Sequence, residues 1–237
     1  MIRFGSLSLV LTMLGGCTRQ ADVQPAAISE PTLAAQIAAV ERGQSTRIQV
    51  ETQALSDQDL QQLAKLDGLE ELLIDRPAGQ VTAAGLSHLT GLPHLSHLRI
   101  RGGGVDDAAL AEIAKLPGLR ILNVPRGEFT DAGLRQLKPL TELQQLRFGS
   151  SQVTDAGIQA VGELPAIKQL HLIDVPFTDQ GLASIAEIEQ LESLYIDGTP
   201  LSDAAWSEFF RTREKLGRVH VHLDQQHHDR DPHQHAH

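Results

Sequence analysis

The chain has 237 residues, of which 41% are apolar and only 3% aromatic, and it carries a formal charge of −10. It is long enough to bury a full core, but that core must be laid down as aliphatic side chains in thin, similar layers. Its net acidic charge works against non-specific binding to nucleic acid or to an anionic membrane surface, since phosphate binding needs a basic face.

The first segment, residues 1–16, reads as an export signal: Arg3, then the apolar run Phe4 to Leu14, then Gly15-Gly16. The run is about half of the roughly 20 apolar residues that a spanning helix needs. The chain's single cysteine, Cys17, follows immediately. Leu14-Gly15-Gly16-Cys17 resembles the lipobox of bacterial lipoproteins. That resemblance implies a lipidated Cys17 at the mature N-terminus and an anchor in the cell envelope, each buried acyl CH2 contributing about 0.8 kcal/mol. It also implies the outer membrane, since Thr18 stands where an Asp signals inner-membrane retention. The alternative is an ordinary secretory signal with an incidental cysteine. Either way the rest of the chain has no disulfide and must be held by packing. Residues 17–30, rich in Gln, Ala, Ser and Pro, read as a flexible tether.

Glu30-Pro31-Thr32 then opens an amphipathic helix with Leu33, Ile37 and Val40 on one face, ending near Gly43. With an early strand at Ile48 and Val50, it makes residues 31–54 an N-terminal cap that keeps the first sheet edge from water.

From Leu55 to Leu223 the chain repeats. A phrase of the form apolar, Thr/Ser, Asp, Ala, Gly, Leu returns, as in Phe129-Thr130-Asp131-Ala132-Gly133-Leu134. Its last position, at Leu60, Leu86, Leu110, Leu134, Ile158, Leu182 and Trp206, steps by 26 residues once and then by 24. Such a period signals stacked supersecondary units. Thr130, Thr154, Thr178 and Ser202 are placed to cap helices, with Asp131, Asp155, Asp179 and Asp203 in the first turn, where negative charge suits the helix dipole. Val153 and Ile158 have the spacing of a hydrophobic staple. Gly85, Gly133, Gly157 and Gly181 fall at the third helical position, where a poor helix former points to close contact with the neighbouring coil.

The second half of each unit reads Leu-x-x-Leu-x-apolar, as in Leu95/Leu98/Ile100 and Leu143/Leu146/Phe148, with a degenerate last copy at Leu216/Val219/Val221. Its alternation predicts a short strand, and about eight strands stacked at about 4.8 Å give roughly 34 Å of parallel sheet. Together these features resemble the leucine-rich repeat family, in the helix-bearing subtype with a Thr-Asp-x-Gly-Leu phrase. The resemblance implies an α/β solenoid with a parallel β-sheet on its concave side and short helices on its convex side. The Asn or Cys ladder of many members is replaced here by Gly103, Gly127, Ser151, Val175 and Thr199.

In that family the strand residues between the inward ones form the binding face. The resemblance therefore implies a central column of Leu73, Arg99, Asn123, Arg147, His171, Tyr195 and His220, flanked by residues including Arg101, His97, Asp75 and Asp197. Arg and Tyr are frequent anchors of protein interfaces. A basic centre on an acidic protein suggests an acidic protein partner or a glycan. Solvated strand faces also need polar residues, so no single side chain settles the matter.

The last segment, 224–237, is a polar His-rich tail expected to be disordered. His220, His222, His227, His228, His233, His235 and His237 could together chelate Zn, Ni or Cu, which makes metal handling a rival function. A third class, F-box-like substrate-adaptor repeats, lacks a preceding F-box-like helical module. Gly102-Gly103-Gly104 occupies a repeat loop and lacks the spacing of a dinucleotide fingerprint. With no nucleophile-elbow, zinc-protease or phosphate-loop motif, the sequence reads as a binding protein and not an enzyme, without a resident cofactor.

Overall fold

Each unit folds as its caps and alternation dictate, into a four- or five-residue strand, a turn and a short helix. The computed structural model describes residues 30–75, 81–102, 104–224 and 226–227. The cap comprises α1 (Leu33–Glu41) and β1 (Arg47–Val50). The repeats follow as α2 (Asp57–Leu63), β2 (Glu71–Ile74), α3 (Ala83–Ser87), β3 (His97–Ile100), α4 (Asp107–Ile113), β4 (Ile121–Val124), α5 (Asp131–Gln136) and β5 (Gln145–Phe148). They continue as α6 (Asp155–Gly162), β6 (Gln169–Ile173), α7 (Asp179–Ala186), β7 (Ser193–Asp197), α8 (Asp203–Leu216) and β8 (His220–Leu223). Strands β1 to β8 pair in chain order, all parallel. The sheet does not stop at residue 223, because Gln226–His227 form β9 and pair antiparallel with β8. Between sheet and helices lies one continuous aliphatic core, in which Leu98, Leu122, Leu146 and Leu170 from successive strands are buried with Leu110, Leu134 and Ile158 from successive helices.

The expected caps are present. The side chains of Ser56, Thr82, Asp106, Thr130, Thr154, Thr178 and Ser202 each accept a first-turn backbone N–H. The Asp that follows the cap has a second role beyond the dipole. Its carboxylate reaches the next unit and accepts from both the backbone N–H and the hydroxyl of that unit's cap residue. Asp107 does so on Thr130 at 2.7 and 2.8 Å, Asp131 on Thr154 at 2.8 and 2.7 Å, and Asp155 on Thr178 at 2.7 Å for both. Asp57 holds Thr82 and Asp179 holds Ser202 in the same way. The Ser202 hydroxyl and N–H keep the Asp179 carboxyl below its ordinary range. This ladder ties coil to coil at the helix N-termini, in place of a continuous polar ladder after the strands.

The cap closes the sheet edge through one side chain. Gln36 on α1 donates its Nε2 to the Gln49 carbonyl at 2.7 Å and accepts the Gln49 N–H on its Oε1 at 2.7 Å, so its amide imitates a neighbouring strand on β1. Glu30 accepts the N–H groups of Glu51 and Thr52, and the Thr52 hydroxyl holds its carboxyl below the usual range. Gln36→Leu strips both partners from an edge residue and should cost about 1–2 kcal/mol. It should also promote edge-to-edge association. Urea unfolding and light scattering at rising concentration check this, and an equally stable monomer would show that the edge needs no such guard.

At the other end the last unit differs from its expected alignment. Val221 pairs with Leu194 and Leu223 with Ile196, so the strand pattern falls two residues later than Leu216/Val219/Val221. The cause is α8, with 14 residues against five to eight in the helices of the preceding repeats. Leu216 ends it and is 37% exposed. Trp206, Phe209 and Phe210 cluster on this helix, with Phe209 and Phe210 edge to face at 5.5 Å, and cover the last core layer.

Candidate binding face

Alternation sends Leu98 and Ile100 into the core and leaves His97 and Arg99 on the open face of the sheet, and β4 to β7 repeat this choice, whereas in β2 the outward Leu73 is itself buried. Register then stacks the outward residues into columns. The central one runs Gln49, Leu73, Arg99, Asn123, Arg147, His171, Tyr195 and His222. His222 therefore stands where His220 was expected, while His220 pairs with Ser193 one column away and is exposed. The physical reason is the lengthened α8, which delays the strand by two residues and so preserves the side-chain face while changing the column.

Charge on this face is partly settled within it. Asp75, only 13% exposed, forms ion pairs with Arg99 and, at 3.3 Å, with Arg101, and accepts from Gln49 at 3.2 Å. Asp197 takes His171 at 2.8 Å. His97 lies 3.9 Å from Glu71, and burial pushes its pKa down against the pull of that carboxylate. These pairings escaped the sequence reading, whose only signal was Asp75 standing one strand before two arginines.

Arg147 differs. Around it are Asn123 and His171 across the strands, Gln145 and Gly149 along β5, and Ile121, Pro125, Gln169 and Ile173 at the diagonals. None is acidic. Burial and the repulsion of Arg101 and Arg99 lower its pKa, and Asp197 offsets this only in part. Buried polar atoms without a hydrogen-bond partner among the described residues cluster here: the donors Arg99 Nε and Arg147 Nε and the acceptors Asn123 Oδ1 and Asp75 Oδ1. Toward the C-terminal end the surface turns aromatic. The His171 and Tyr195 rings are 5.2 Å apart, and Tyr195 stacks on His222 at 4.3 Å with planes 5° apart.

Cys17, His228, His233, His235 and His237 lie outside the described residues. The backbone of β9 sets His227 opposite His222 in register. Among the described residues no three His, Cys, Asp or Glu converge as a metal site, and no helix is long and apolar enough to cross a membrane.

No family model matches the chain, and no curated protein matches it. Among solved structures it is similar to internalin C2 of Listeria monocytogenes, at 20% identity and a TM-score of 0.56, over 83% of this chain and 78% of that one. It is also similar to the internalin inlF of the same organism, at 23% identity and a TM-score of 0.51, over 73% of this chain and 46% of that one. This likeness shows the fold, a leucine-rich repeat α/β solenoid.

Proposed function

We propose that the protein is a lipid-anchored binding protein of the bacterial cell envelope that recognises a protein partner through the open face of its sheet. The observation that carries this is the contrast between the two sides of each strand. The inward residues are nearly uniform aliphatics, whereas the outward central column changes at every step and ends in Arg147, His171, Tyr195 and His222. A scaffold that holds its core constant and varies one aligned column presents side chains for recognition. The anchor rests on the lipobox resemblance at Cys17.

The test is capture from envelope extract with the chain from Ala27 onward. The parent should retain a partner that Arg99→Glu together with Arg147→Glu loses, and unchanged capture would discard the open face as the binding surface. In cells, Cys17→Ser should abolish palmitate labelling and membrane fractionation. Metal handling by the tail is a second reading, favoured by the register of His222 with His227. It requires that removing 224–237 abolish zinc binding in calorimetry.

A further inference from the structure

The arginine at the centre of the open face is short of a counter-charge, and its surroundings define what would supply one. None of the eight positions around Arg147 is a carboxylate. Asp75 is shared between Arg99 and Arg101, and Asp197 is engaged with His171. Arg147 has no ion pair within 4 Å among the described residues. Leaving the buried Nε donors of Arg99 and Arg147 and the buried acceptors Asn123 Oδ1 and Asp75 Oδ1 without hydrogen-bond partners works against stability. The half-buried guanidinium of Arg147 keeps its charge uncompensated, and a planar guanidinium is matched best by a carboxylate held through two parallel hydrogen bonds.

A second feature fixes the spacing. The Tyr195–His222 stack begins two strands beyond Arg147, or about 10 Å at about 4.8 Å per strand. An extended peptide laid across the strands covers that in about three residues at roughly 3.3 Å each. Parallel rings favour a further aromatic ring that is offset or edge-on to them.

We infer that the open face docks an extended acidic segment of a protein partner, its Asp or Glu carboxylate on Arg147 beside Asn123 and an aromatic side chain three residues later on the Tyr195–His222 stack. This rests on the binding face proposed above and names its ligand chemistry. Arg99 contributes its positive field while remaining paired with Asp75, so Arg147 alone sets the preference for an acidic residue.

The experiment is fluorescence polarisation of the whole protein with labelled Gly/Ser peptides carrying Glu-Gly-Ser-Phe, Lys-Gly-Ser-Phe or Glu-Gly-Ser-Ala. The first should bind at least about tenfold more tightly than either of the others, the size expected for one charge-assisted contact or one buried ring. Arg147→Met should erase the Glu-over-Lys preference, while Arg120→Met, which breaks an exposed pair with Glu142, should leave it intact. In urea, Arg147→Met should unfold at an unchanged or higher midpoint, because it removes an uncompensated charge and retains the stem. Equal binding of the Glu and Lys peptides by the parent overturns the inference, as does a preference that survives Arg147→Met or a lowered midpoint. If extract capture still depends on Arg99 and Arg147 while the peptide preference is absent, the carboxylate docking fails and the binding face stands. If capture is independent of both arginines, the binding face itself fails.

Discussion

Gly133→Ala should lower the stability of this protein by about 2 kcal/mol, although Gly→Ala within a helix ordinarily stabilises by up to about 1 kcal/mol. A Cβ built at Gly133 would stand 2.3 Å from Oδ1 of Asp107 in the preceding unit, a distance no real contact allows. The obstacle is the carboxylate of the inter-unit ladder, fixed by its two bonds to Thr130. Asp107→Ala alone should also cost about 2 kcal/mol, because it strips a partly buried N–H and a hydroxyl of their acceptor. In the double variant the clash disappears with the carboxylate, so its cost should fall short of the sum by about 1–2 kcal/mol. Urea unfolding of the four proteins measures that coupling, and strict additivity would refute the steric account. Gly91→Ala is the control: nothing lies within 4 Å of its Cβ, and it should gain about 0.5 kcal/mol.

The chain already contains this double variant. Where α3 begins with Ala83 and not Asp, the third position of α4 is Ala109 and not Gly. The glycines at 85, 133, 157 and 181 each follow a unit with Asp at the first helical position, and each faces that Asp closely. Asp59 belongs to α2, the first helix of the repeats, with no earlier repeat to meet, and it completes a capping box with Ser56. Ala205 follows Asp179 and breaks the rule. Its cap, Ser202, has φ −75° and ψ 151°, where Thr130 has −105° and −175° and Thr178 −107° and −176°, so α8 leaves the ladder on a different path.

This correlation was open to inspection in the sequence, where the glycines pointed to a close neighbour without revealing its identity. Period, caps and strand alternation were legible because each depends on residues within one unit. The pairings on the open face were not, since Asp75 reaches Arg99 and Arg101 across a gap of 24 to 26 residues, and which acid serves which base depends on rotamers. The column was legible up to Tyr195 and failed at its last member. A fixed period of 24 carries the register only while helix lengths hold, and α8 departs from them.

Arg213→Met should cost about 3–5 kcal/mol, a larger loss than that of Gly133→Ala or Asp107→Ala, because buried charge-assisted hydrogen bonds are lost together. Arg213 is 3% exposed, and its guanidinium donates to the carbonyls of Ile188 at 2.7 Å, Leu191 at 3.1 Å, Ala186 at 3.3 Å and Gly217 at 3.1 Å. Those oxygens end α7, line the turn after it and close α8, so one side chain satisfies the C-terminal orphans of two helices. Burial lowers the pKa of the guanidinium, and the nearby Glu187 opposes the shift. Methionine keeps the apolar stem and removes every donor, which separates hydrogen bonding from packing. Arg213→Lys keeps the charge, but its single ammonium offers three donors from one point and should recover only part of the loss. In the sequence Arg213 passes as one more solvated charge in Arg211-Thr212-Arg213-Glu214-Lys215, yet it falls at i+4 and i+7 on the stripe of Phe209 and Trp206, which is the signal that marks it. Because each unit touches only its neighbours, the loss should appear as fraying from the C-terminal end. Hydrogen exchange should then lose protection in α8 and β8 first and in β3 and β4 last. Uniform loss along the solenoid, or a methionine variant as stable as the parent, would remove Arg213 from its role as the closing bolt of the stack.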